Sequence, residues 1–278
     1  MRRHHWSYLV IVLTVALSLI VSCQAAPAPT QAPQPTAAPN ASAASGPTID
    51  RIKKAGKLVV LQDATFRPME FKDESGKIVG FDVDVAQAFA DSLGVKLEVQ
   101  NVNWDGIFVA LQAGKGDAIF SSVTITDKRK EQMAFSEPYY LAGQMIAVPA
   151  DNTDIKGPDD LKGKAVAVQI DTTGQEAAEG IDGIKEIRKF DGGAETMMAV
   201  DQKKVDASIM DSVVVLDYVK NHPTVKTAGT KPFTTEPYGA AFNKDATDLV
   251  KAFNDFLAAA QKDGTMDKIL DKWGMKTS

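Results

Sequence analysis

The segment AIFSSVTITDKRKE, Ala118 to Glu131, places four hydroxyls (Ser121, Ser122, Thr124 and Thr126) ahead of one arginine, Arg129. Hydroxyls donate hydrogen bonds, and a guanidinium can grip a carboxylate through two parallel N–H bonds. The chemistry on offer is reversible capture of a small carboxylate. Taken alone, Arg129 fits a solvated cluster better, because charged neighbours surround it in TDKRKE. A second phrase sharpens the choice. Lys115-Gly-Asp-Ala-Ile-Phe-Ser-Ser122 recurs in outline as Lys204-Val-Asp-Ala-Ser-Ile-Met-Asp211. If Ser122 and Asp211 end comparable strands in two lobes, a hydroxyl from one faces a carboxylate from the other. Ligands of open α/β sheets gather outside such strand ends. Asp211 by itself also reads as a helix cap.

The elements that must position these groups alternate. KLVVLQ (57–62) is strand-like, and GFDVDVAQAFADSLG carries Phe81, Val85, Phe89 and Leu93 at helical spacing before Gly94. KLEVQNV reads as a strand and WDGIFVALQAG as a helix ending at Gly114. A second cycle follows. KAVAVQI (164–170) is strand-like, a Thr-rich turn precedes the helical QEAAEGI, and ETMMAVDQ leads to the strand DASIMD. Leu249, Phe253, Phe256, Leu257 and Ala260 mark a long C-terminal helix. The alternation predicts an α/β fold with buried sheet strands.

The N-terminus has Arg2 and Arg3, an apolar run from Leu9 to Val21, and a single cysteine, Cys23. That pattern is an export signal, and Ile20-Val21-Ser22-Cys23 resembles the bacterial lipobox. The expected layout is a signal peptide over 1–22, with Cys23 as the lipid-bearing first residue of the mature chain. An ordinary secretory signal cut near Ala25-Ala26 is the alternative. Residues 23–48 form an Ala/Pro-rich segment with too little apolar surface to repay its ordering entropy, hence a tether. The body beyond it is roughly 230 residues, enough for one large or two modest cores. Removing Arg2 and Arg3 moves the formal charge from -5 to about -7. Such a composition argues against nucleic-acid binding. His222 is then the only histidine, which argues against a histidine or thiolate metal site.

The body resembles the family 3 extracellular solute-binding proteins of polar amino-acid ABC transporters. The resemblance rests on LQDATFRPMEF (61–71), GKIVGFDVDVAQAFADSLG (76–94), NWDGIFVALQAGKGDAIFSSVTITDKR (103–129) and MAFSEPYY (133–140). LKGKAVAVQIDTTG (161–174), VDASIMD (205–211) and DGTMDKILDKWG (263–274) extend it to the C-terminus. It implies a two-lobed type II periplasmic-binding-protein fold with lobe 1 over 49–142 and a return over 237–278. Lobe 2 would occupy 143–236 with hinge crossovers near Gly143 and Thr234. It also implies closure on an amino acid, delivery to a membrane permease, no cofactor, a monomeric state and an extracytoplasmic, lipid-anchored location.

The resemblance further implies that Arg129 pairs with the ligand α-carboxylate while Ser122 and Thr124 add hydrogen bonds to its head group. Thr173, with Thr172 beside it, would hold the carboxylate from the opposite lobe, and Asp211 would receive the α-ammonium. Phe66 and Trp104 would wall the ligand side chain, and Asp63 would reach its distal group. Two departures stand out: Asp171 where many relatives have glycine, and Met69 where phenylalanine is frequent. Asp63, Glu70 and Asp171 make the cleft neighbourhood acidic, which favours a basic amino acid, with glutamine or another polar neutral one next. Glutamate would need a second cation, which Arg67 could supply by turning inward. Two rivals share the scaffold: a sensor for a separate signalling partner, and a dehydratase using Asp171 or Asp63 as proton donor.

Overall fold

The computed structural model describes residues 48–276. The expected signal, Cys23 and the tether up to residue 47 lie outside them, while Thr48, the tether's last residue, opens the helix Thr48–Ala55; no described helix is long and apolar enough to cross a membrane.

Two five-stranded sheets organise the described chain, one in each of two lobes. The first runs Lys96–Asn101, Lys57–Gln62, Ala118–Ile119, Ala241–Phe242, Ala134–Phe135. The first three strands are mutually parallel and Ala241–Phe242 is antiparallel to both its neighbours. In the second the order is Glu186–Phe190, Ala165–Gln169, Ala207–Asp211, Gln144–Pro149, Val225–Ala228, again three parallel strands followed by antiparallel ones. The repeated phrase therefore occupies the same place in both lobes: Ala118–Ile119 and Ala207–Asp211 are each the third strand in their order. Tyr140–Ala142 and Glu236–Tyr238 pair antiparallel where the chain crosses between the lobes and returns. That crossing is narrow. A Cβ on Gly143 would sit 2.2 Å from the Thr234 carbonyl oxygen, so only glycine lets the strands approach this closely.

The helices form where apolar spacing predicts. Phe81–Leu93 buries Phe81, Val85 and Phe89 and stops at Gly94, whose left-handed conformation lets its N–H close back on Asp91. Its start is equally constrained. Gly80 has φ 148, and a Cβ there would lie 2.0 Å from the Met69 carbonyl oxygen. This contact draws the Glu70–Lys72 strand against the first turn of the helix and sets Glu70 beside Asp82. Thr247–Lys262 buries Leu249, Phe253, Leu257 and Ala260, while Phe256 is only partly covered. Phe253 packs edge-on against Phe89 and Phe120, both with centroids 5.0 Å away. A second short helix, Thr265–Lys272, then carries the chain back over Phe81–Leu93.

Candidate functional site

A pocket between the lobes has about 410 Å³ of empty space including its mouth. Lobe 1 supplies Asp63, Phe66, Trp104, Ser122, Thr124 and Arg129, and lobe 2 supplies Thr172, Thr173 and Asp211. All nine residues expected from the sequence line this one space.

Arg129 stands in the short helix Asp127–Lys130, which is capped by the Thr126 hydroxyl. One guanidinium N–H donates to the Thr124 carbonyl at 2.9 Å. The guanidinium lies 5.3 Å from the Trp104 ring centroid and 5.2 Å from that of Phe108. Its desolvation lowers its pKa, against the opposing pull of Glu176, Asp211 and Glu236. It forms no ion pair with any described residue, and most of its donors remain for a planar anion.

Asp211 ends the Ala207–Asp211 strand and is buried. It occupies the cap position of Ser212–Asn221 but makes no side-chain cap bond. Instead the Gln144 amide donates to its carboxylate. Burial, reinforced by Glu236, pushes its pKa up to about 7. A desolvated carboxylate with spare lone pairs is suited to a primary ammonium.

The hydroxyl groups divide their duties. Ser122 takes φ 51, and both its N–H and its hydroxyl donate to Asp82, at 2.5 and 3.1 Å. Thr172 caps the helix Thr173–Glu179: its hydroxyl donates to the Gln169 carbonyl and accepts from the Gln175 N–H. The Thr173 hydroxyl is freer, 3.5 Å from that of Thr124 and 3.3 Å from the Gln144 amide nitrogen. Asp171 has φ 57, so an aspartate retains the left-handed turn a glycine would make. It is exposed outside the pocket, and its backbone carbonyl accepts from the Trp104 indole N–H at 2.9 Å.

Asp63 accepts from the Gln169 amide at 2.8 Å and from the Thr65 hydroxyl at 3.0 Å. Burial raises its pKa to about 6. Gln169 belongs to lobe 2, so this bond joins the lobes at the base of the pocket. Phe66 packs across to Gly193 of lobe 2, where a Cβ would come within 3.1 Å of its ring. Glu70 lies behind Ser121, whose hydroxyl donates to it at 2.6 Å. Arg67 is exposed with its guanidinium 3.5 Å over the Phe71 ring, and it lines a different groove. Asp171 therefore adds no wall charge, and Arg67 brings no second cation. Sequence reasoning missed Gln144 and Gln169. Each glutamine lies in a main strand of lobe 2, and no residue-type signal marks it.

Comparison with known proteins places this geometry. The model of the bacterial extracellular solute-binding proteins, family 3, matches residues 58–276. The L-cystine-binding protein TcyJ of Escherichia coli strain K12 is 33% identical over 227 residues, covering 81% of this chain and 85% of TcyJ. Holo ArgBP from T. maritima superposes with TM-score 0.74 at 40% identity, covering 81% of this chain and 98% of that one. An ancestral arginine-binding protein is 44% identical with TM-score 0.76 when bound to arginine, covering 78% and 98% of the two chains. The same ancestral type has been solved bound to glutamine, at the same identity and TM-score over 80% and 99%. An interlobe pocket with an unpaired arginine and a buried carboxylate, a doubled sheet topology and a match over most of the described chain converge: this protein belongs to the bacterial extracellular solute-binding proteins, family 3.

Proposed function

We propose that the chain is the amino-acid receptor of an ABC import system, closing on a zwitterion and presenting it to a membrane permease. One observation carries this reading. Arg129 of lobe 1 and Asp211 of lobe 2 face one pocket as unlike charges, neither ion-paired with any described residue. An α-carboxylate and α-ammonium on one carbon satisfy both at once, and only when the lobes are together. A sugar offers neither charge.

A basic side chain suits the remainder best. Phe66, Trp104 and Asp63 line the same pocket, and the Asp63 oxygens retain lone pairs beside the Gln169 and Thr65 donors. Arginine can meet aromatic faces and a carboxylate together. Glutamine is the second reading, since its flat amide fits between the same rings and can pair with Asp63 or Gln169. A dehydratase has lost one proposed acid, because Asp171 stands outside the pocket. In the cell the receptor is extracytoplasmic and tethered through lipid on Cys23.

The test is a thermal-shift screen of all natural amino acids on ligand-stripped protein, followed by calorimetry. Stabilisation by arginine or lysine supports the basic reading, and stabilisation by glutamine alone replaces it. Product formation from small cyclic acids with no amino-acid binding overturns the receptor reading. Loss of uptake on gene deletion separates transport from signalling alone.

A further inference from the structure

A chain of hydrogen bonds crosses from lobe 2 to lobe 1 beside the ligand pocket. Thr65 opens the short strand Thr65–Phe66 and is half-buried. It lines a neighbouring groove with Ala64, Arg67 and Ala194 rather than the pocket itself. Its hydroxyl oxygen accepts from the Gly193 N–H of lobe 2 at 3.1 Å, and its O–H donates to Asp63 Oδ1 at 3.0 Å. Asp63 Oδ2 accepts from the Gln169 amide at 2.8 Å, again from lobe 2.

The lobe 2 end of this chain follows from helix geometry. Gly193 is the first residue of the helix Gly193–Asp201, so its N–H has no acceptor within the helix. The preceding N–H, on Gly192, donates to the Glu195 carboxylate at 2.9 Å. Small residues permit the approach, because a Cβ on Gly192 would lie 3.2 Å from the Thr65 hydroxyl oxygen. With the Gly193 N–H on one lone pair, the Thr65 proton points elsewhere, and the Asp63 carboxylate receives it.

We propose that Thr65 is a positioning residue that carries the closure of the lobes to Asp63, holding the pocket's acid as an aimed anion when lobe 2 is in place. This rests on the receptor reading and adds its selectivity device. A basic side chain gains a charged acceptor on closure, whereas a glutamine amide pairs with either form of the carboxyl. Asp63 needs such help. Burial raises its pKa to about 6, and the titratable groups facing it are the acids Glu195, Asp105 and Glu70. Donors from Gln169 and Thr65 oppose that rise, since a hydrogen bond to the charged form favours it. The anion is gained as pH rises through the folded value, so loss of the Thr65 donor moves the gain to higher pH.

Thr65→Val keeps the branched shape and removes both bonds, whereas Thr65→Ser keeps the hydroxyl. Calorimetry measures arginine and glutamine affinities for wild type, T65V and T65S from about pH 5 to about pH 9. The ratio of the two affinities cancels the head-group contacts that both ligands share. In wild type the arginine-to-glutamine ratio should rise through about pH 6. A shift of about one unit in T65V lowers that ratio about fivefold at about pH 6 and leaves it unchanged at about pH 9. T65S should follow wild type. Hydrogen exchange on the glutamine-saturated protein should show the Gly193 amide less protected in T65V than in wild type. Equal losses of arginine and glutamine at every pH would make Thr65 a packing residue and overturn the relay, as would an equally protected Gly193 amide. Wild type binding neither ligand would instead remove the side-chain reading, and the relay with it.

Discussion

Arg129 is held by one hydrogen bond to its own loop and two aromatic rings, so its orientation is set before any anion arrives. Preorganisation of this kind lowers the ordering cost of binding. Arg129→Ala should therefore weaken amino-acid binding by about 2–5 kcal/mol, as for truncating a buried charged partner. Calorimetry on the folded mutant checks this, and native affinity would remove Arg129 from the site. Asp211 makes a pH-dependent claim. With its folded pKa raised to about 7 from 3.8, its contribution to ligand-free stability is complete below 3.8 and lost as pH rises through about 7. A ligand ammonium offsets the cost of the ionised form. The thermal shift produced by ligand should thus grow between about pH 5 and pH 8, and D211N should abolish that growth. A wild-type shift independent of pH across this window would show that Asp211 does not meet an ammonium.

At the scale of elements, helical spacing located Phe81–Leu93 and Thr247–Lys262, and the Lys-x-Asp-Ala phrase located equivalent strands in the two lobes. The return of Ala241–Phe242 to the first sheet was not readable from periodicity, because two residues carry no pattern. Its place came from the family resemblance. For the site, charged and aromatic residue types were legible, whereas Gln144 and Gln169 required strand register. Phe253 is fully buried among four other phenylalanines, remote from the pocket lining. Phe253→Ala should cost about 3–5 kcal/mol in denaturant unfolding without changing ligand preference. Gly143→Ala is predicted to act differently. Its new Cβ meets the Thr234 carbonyl, so the crossover must part, at a cost of about 1–3 kcal/mol typical of overpacking. Weakened binding with a near-native core would place that cost on closure, and unchanged binding would free Gly143 from the hinge role.

Across the whole molecule, the lobes meet through unequal contacts. Lys128 and Glu176 pair at 3.0 Å, but their side chains are 78% and 54% exposed, so the bridge contributes about 0–1 kcal/mol. More enclosed contacts include Asp63 with Gln169, Thr65 with the Gly193 N–H, Trp104 with the Asp171 carbonyl, and Thr124 with Thr173. Asp63–Gln169 is the buried bond with a charged acceptor, the class that contributes about 1.5–3 kcal/mol when intact. On the proposed reading, in which Arg129 and Asp211 grip one ligand from opposite lobes, apparent affinity scales with the fraction of molecules able to close. Gln169→Leu keeps approximate volume but strands the Asp63 oxygen, so it should shift ligand-free protein toward the open form. Small-angle scattering should then show a larger radius of gyration before ligand, compaction after it, and calorimetry a weaker affinity. K128A, which removes only the exposed bridge, should match wild type in both measurements. Native compactness and affinity in Q169L would mean that Gln169 fills space without latching the lobes. Tight binding with no compaction in wild type would defeat closure itself.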